Sequence, residues 1–178
     1  MLIDDILNNP NLADYRCNDC EENGVGVSFH ADIQLTDYVI LKIDDYFNRT
    51  IPNPNTPAGN DCLIVQLCQD NRYKLYLIEL KNIENLRSYS LKQIREKFQN
   101  CFDIFMSDKF RSYFYDLNYD FTSIELIFVS NTKEQMSRTD KKQKNTRLDS
   151  LLAQPPCRFA NKLYGITFQE PYPTIMPC

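Results

Sequence analysis

Between Asp61 and Asn82 the chain reads DCLIVQLCQDNRYKLYLIELKN. Two strand-length apolar runs, Asp61–Cys68 and Tyr73–Asn82, flank the polar cluster Gln69-Asp70-Asn71-Arg72, which has the composition of a hairpin turn. Upstream, Leu35, Val39, Ile43 and Phe47 recur every four residues beside Tyr38, Ile40 and Tyr46, and this spacing predicts a helix over 35–49 capped by Asp32 or Thr36. Downstream, Ser90 stands three residues before Gln93 at capping-box spacing. Leu91, Ile94, Phe98, Cys101, Phe102 and Phe105 then mark one face of a long helix over about residues 90–114, with a break near Ser107-Asp108. Ser123–Ser130 is almost continuously apolar, as expected of a strand covered on both faces. A strand–helix–strand crossover predicts that it returns parallel to its neighbour. Weaker patterns add a short helix before Pro10, another near Leu148, and a strand over Lys162–Glu170. Residues 51–60, with three prolines and a glycine, form a loop that delivers the chain to Asp61. These elements predict one α/β (α+β) domain over residues 1–178.

The charges of the hairpin sit in unusual places. Glu79 and Lys81 are two apart, so on a strand they share the face of Leu75 and Leu77 and end an apolar row. Charge buried there is costly unless it is paired or holds a metal. Asp61 joins them only if the hairpin register has the right parity. Opposed residues share a face, so paired numbers must sum to an even value, and a two- or four-residue loop centred on Asp70-Asn71 gives an odd one. The site therefore requires an odd-length loop or a bulge.

Composition is that of an ordinary globular chain, 43% hydrophobic and 25% charged. No apolar run is long enough to span a membrane, and acids stand near the N-terminus where a signal peptide has bases. A cytoplasmic location is the expectation, with the seven cysteines as thiols. Residues 1–61 carry 11 acids and 3 bases, and residues 62–178 carry 13 acids and 17 bases. The net charge of −4 thus hides a basic second part, compatible with a polyanion on one face. Within it, 133–147 is a basic loop holding Lys133, Arg138, Lys141, Lys142, Lys144 and Arg147, a candidate phosphate-contacting segment. Cys17-Asn-Asp-Cys20 is half of a zinc signature with no second CxxC. His30 is the sole histidine and supports no triad.

The acid opening one strand, the Glu79-Leu80-Lys81 triplet on the next, and the helices around them resemble the PD-(D/E)xK nuclease superfamily. The resemblance covers about residues 35–130 and leaves 1–30 as an extension; Asn60 stands where the motif has proline. It implies a restriction-endonuclease-like core, a central mixed β-sheet with helices on both faces. It also implies an endodeoxyribonuclease that hydrolyses DNA phosphodiester bonds with Mg²⁺, which Mn²⁺ can replace. Asp61, Glu79 and the Leu80 carbonyl would hold the ion, and Lys81 would stand beside the attacking water or the developing charge. Lys92 or Gln93 in the following helix, and Asp44 or Asp45 in the preceding one, are auxiliary candidates. Cutting both strands of a duplex would take a homodimer. The alternatives are a catalytically inactive DNA- or protein-binding member of the same fold, and a CxxC zinc protein.

Overall fold

A computed structural model describes residues 1–82, 90–116, 118–131, 150 and 152–178. Its central sheet has six strands: β1 (Arg16–Cys17), β2 (Tyr38–Lys42), β3 (Cys62–Leu67), β4 (Arg72–Lys81), β5 (Asp120–Ser130) and β6 (Ile166–Gln169). They lie side by side in chain order, antiparallel from β1 to β4 and parallel from β4 to β6. The sheet is mixed, as expected, and β5 returns parallel to β4 across the helical segment. The helices are α1 (Leu2–Leu7), α2 (Ile43–Thr50), α3 (Leu91–Asn100), a π-helical stretch Cys101–Lys109, and α4 (Arg111–Phe114).

The helix predicted over 35–49 begins only at Ile43. Residues 38–42 form β2 instead, paired with β3 from Tyr38↔Gln66 to Lys42↔Cys62. Tyr-Val-Ile-Leu-Lys is rich in β-branched and aromatic side chains, which suit a pleated surface better than a helix. Buried on both faces, such a strand has no period of its own, so the four-residue recurrence of Val39 and Ile43 carried no helical information. Leu35, the supposed start of the stripe, is 81% exposed. The predicted strand at 162–170 divides at Gly165 into Lys162–Tyr164, which pairs with Cys157–Phe159, and β6.

Alternation along β3 and β4 sends Leu63, Val65, Leu75 and Leu77 to one face and Ile64, Tyr76, Ile78 and Leu80 to the other. The first face packs against each of these helices: Leu2 and Ile6 of α1, Phe47 of α2, Ile94 and Phe98 of α3, Phe102 and Phe105 of the π stretch, Phe114 of α4. In the π stretch, Phe110 N–H donates to Phe105 O at 2.9 Å, a five-residue closure that keeps both rings in the core. The second face is covered by extended segments, through Val25, Val27, Phe29, Ile33 and Ile175. Among the described residues, therefore, the expected helices on both faces are corrected to helices on one. No helix among them is long and apolar enough to cross a membrane.

The expectation of seven thiols is corrected too. Cys20 and Cys62 form a disulfide on the second face, and Cys68 and Cys178 form another that ties the C-terminus to the β3–β4 turn. Cys17, Cys101 and Cys157 are free. Both bridges close loops too long for sequence spacing to suggest. Alkylation of the denatured, unreduced protein, followed by peptide mapping, should modify these three cysteines and recover Cys20–Cys62 and Cys68–Cys178 as linked pairs. Seven alkylated thiols would be incompatible with this arrangement.

Candidate active site

The hairpin register decides whether the acids meet. β3 pairs with β4 from Cys62↔Ile78 to Leu67↔Tyr73, so every sum is even and five residues, 68–72, connect the last pair. This is the odd-length loop that the site required. Asp70 and Asn71 close it with φ of 59° and 54°, in the left-handed region that these two side-chain types tolerate. Asp61, one residue ahead of β3, consequently falls opposite Glu79. Its Oδ2 accepts the Leu80 N–H at 2.6 Å.

Asp61, Glu79, Leu80 and Lys81 line one cavity of about 200 Å³ together with Glu22, Asn23, Asp44, Asn82 and Lys97. Glu79 is 3% exposed. Its Oε1 accepts from Lys97 Nζ at 2.7 Å, whereas Oε2 has no partner among the described residues. Burial, and next the nearby Asp61 charge, push the Glu79 pKa up to about 8, even against the opposing pull of Lys97. Burial raises Asp61 as well, opposed by Lys97 and by the Leu80 N–H. Burial works against the Lys97 ammonium, but Glu79 and Asp61 outweigh it and its pKa ends above the ordinary value.

Lys97 is the residue that sequence reading missed. It sits in α3 three residues after Ile94 and four before Cys101, within the buried stripe of Ile94, Phe98 and Cys101. A charge on an apolar stripe was the available signal. Lys81, the lysine of the triplet, is exposed at the mouth of the cavity. Among the described lining residues neither Lys92 nor Gln93 appears. Lys92 is exposed and pairs with Glu96, and Gln93 N–H donates to the Ser90 cap. Of the two helix acids, Asp44 reaches the cavity and Asp45 is exposed. Asp44 Oδ1 accepts the Gly59 N–H at 3.3 Å, and its Oδ2 accepts from Asn48 Nδ2 at 3.2 Å. The loop can press this close only because residue 59 is glycine. A Cβ there would stand 3.0 Å from the Asp44 nitrogen and from the Phe47 ring.

Asn60 holds the strand ends together. Its fully buried Nδ2 donates to the carbonyls of Cys62 at 2.5 Å and Ile78 at 3.4 Å, a bridging role that proline could not perform. Leu80 offers its N–H to Asp61. His30 lies elsewhere, its Nδ1 accepting the Asp32 N–H at 3.3 Å. Cys20 is spent in the disulfide with Cys62, so Cys17 and Cys20 are not a zinc-binding thiol pair. Lys133, Arg138, Lys141, Lys142, Lys144 and Arg147 lie outside the described residues.

No cluster of three or more His, Cys, Asp or Glu side chains suited to a metal occurs among the described residues. Four acids line the cavity, Glu22, Asp44, Asp61 and Glu79, and the two at the strand ends, Asp61 and Glu79, form the candidate donor pair. One observation makes that pair fit a hard cation: a buried carboxylate oxygen, Glu79 Oε2, has no hydrogen-bond donor, and burial holds both acids above their ordinary pKa even with Lys97 beside them. No family model matches the chain, and no curated protein or solved structure matches it.

The raised Glu79 pKa has a measurable consequence. Its ordinary value is 4.5 and the folded value about 8, so between them the native state binds more protons than the unfolded chain. Stability then falls as pH rises through this window, by up to roughly 5 kcal/mol, with the loss complete above pH 8. Lys97 stays charged in both states there and adds no slope. The melting temperature should drop between pH 5 and 8.5, and Glu79→Gln should remove most of that drop. An equal pH slope in both proteins would place the titrating group elsewhere.

Proposed function

We propose that the chain is an Mg²⁺-dependent nuclease of the PD-(D/E)xK type that hydrolyses DNA phosphodiester bonds, with Mn²⁺ able to replace Mg²⁺. The observation that carries this reading is the meeting of Asp61 and Glu79 in one cavity, with a buried Glu79 oxygen left without a donor. The order of elements supports it: a helix, two antiparallel strands bearing the acids, a further helix, then a parallel strand. Asp61 and Glu79 would hold the ion. A divalent cation supplies Lewis acidity toward a phosphate oxygen and lowers the pKa of water.

The remaining work falls to the chain's own side chains. Lys97, at 2.7 Å from Glu79, favours the ionised carboxylate and holds Oε1 against α3, which leaves the buried Oε2 without a donor. Lys81 at the mouth meets an incoming phosphate and offsets the negative charge that grows on it. Asp44 anchors the 51–60 loop through Gly59, which fixes the approach of the chain to Asp61. The Leu80 N–H orients the Asp61 carboxylate. Duplex cleavage on both strands would take two copies related by a two-fold axis.

A binding-only protein of the same architecture is the second reading, favoured by the absence, among the described residues, of a three-ligand metal cluster. Plasmid, single-stranded and branched DNA incubated with Mg²⁺ or Mn²⁺ separate the two. Cleavage should require the metal and fall by about 10²–10³ in Glu79→Gln, with DNA retention in a gel shift preserved. Lys81→Ala should lose about as much, and Lys97→Ala should move the pH optimum. Metal-dependent cutting that survives Glu79→Gln unchanged rejects the assignment, and binding without cutting by the wild type selects the second reading.

A further inference from the structure

At the end of the sheet away from Asp61 and Glu79 lies a larger cleft, of about 470 Å³. Its walls are aromatic: Phe114 and Tyr115 at the end of α4, Tyr119 and Phe121 at the start of β5, and Phe159 and Tyr164 from the hairpin Cys157–Phe159/Lys162–Tyr164. Nothing in the proposed nuclease chemistry uses it.

The cleft exists because two strands part. β6 joins β5 only from Ile166↔Leu126 onward. Ahead of that point, residues 162–164 leave the β5 ladder and pair with Cys157–Phe159, while still lying beside β5 across the cleft. Asp120, Phe121, Ser123, Ile124 and Glu125 therefore have ladder partners on the β4 side and, among the described residues, none on the β6 side. The register shift between Tyr73 and Lys74 leaves Thr122 as an extra, unmatched residue in the same stretch. An open edge presents main-chain donors and acceptors at the spacing of an extended chain, and edges of this kind are natural templates for another strand.

We infer that this cleft is a docking site for an extended peptide, added as a strand along the free half of β5 in line with β6. Two features select that occupant over a flat small molecule. The edge offers main-chain hydrogen bonds that only a polypeptide backbone matches in series, and the existing β6 already continues the sheet in the same line and direction. Alternate peptide side chains would face the aromatic walls, so apolar or aromatic residues at every second position suit the site. The wall carries both signs, Lys162 as well as Asp120, so continuity with β6 sets the direction and charge fits its start. Asp120 is exposed at the start of β5, where a parallel strand begins, while neighbouring Asp116 is already paired with Arg111 at 2.9 Å. A basic residue leading the peptide complements Asp120.

A fluorescein-labelled peptide, Lys-Phe-Thr-Phe-Thr-Val, tests this by fluorescence polarisation on the full chain, without metal or nucleic acid. It should bind saturably, and N-methylation of alternate amides should weaken it by about tenfold or more, because two or three main-chain hydrogen bonds are lost. N-acetylphenylalanine amide in about hundredfold excess should not displace it. Tyr164→Ala should weaken binding. Asp120→Lys, a surface change that spares the core, should weaken the Lys-led peptide and strengthen its Glu-led counterpart. Absence of saturable binding, equal affinity of the N-methylated peptide, or displacement by the single amino-acid amide would each overturn the proposal, the last in favour of a small-molecule pocket. None of these outcomes depends on whether the chain cleaves DNA.

Discussion

Glu79 is a carboxylate buried on the helix-facing side of a β-sheet, and the ion pair with Lys97 is what makes that placement tolerable. Removing a charge from water costs more than a single 2.7 Å partner returns, and the Glu79 pKa of about 8 records the deficit. An apolar residue at this position would carry no such desolvation cost. The pair is left short of compensation, and in the proposed nuclease a divalent cation shared with Asp61 would supply it. Stability and the proposed chemistry pull in opposite directions at one side chain.

The two faces of the sheet divide the labour around that pair. The helical face carries the larger apolar cluster and brings Lys97 to Glu79 through α3, whose buried Ile94 and Phe98 set its rotation. The second face has no helix among the described residues. Its short extended segments are held instead by the Cys20–Cys62 disulfide, next to Asp61, and by strand pairing of Thr174 and Ile175 with Ser28 and Phe29. That bridge places the Glu21–Gly26 hairpin so that Glu22 and Asn23 reach the cavity, and the Asn23 carbonyl accepts from Asn82 Nδ2 at 2.7 Å. Loop, hairpin and helix therefore converge on the ends of β3 and β4.

Much of the architecture was legible in the hydrophobic pattern. The hairpin, the Ser90-capped helix and the parallel return of β5 follow from local signals: a polar turn between apolar runs, a cap, and a helical crossover. The reading failed where burial on both faces erased periodicity. Tyr38–Lys42 has the composition of a strand and a spacing also compatible with a helix, and only its pairing with β3 decides between them. The disulfides were beyond reach for a different reason, since Cys20 and Cys68 find partners 42 and 110 residues away.

For the candidate site, the chain itself determined the residue types and the condition they must meet. A carboxylate and an ammonium two apart on a strand share a face by the geometry of the pleat, and Asp61 can join them only across an even register. Whether that condition holds rests on the five-residue turn, where Asp70 and Asn71 adopt left-handed backbone. Tertiary structure alone made Lys97 the partner of Glu79. Its distance along the chain, 18 residues, says nothing about proximity until the buried stripe of α3 docks on the sheet and turns that lysine inward. Local covalent geometry sets which side chains share a face, while long-range packing sets which faces meet.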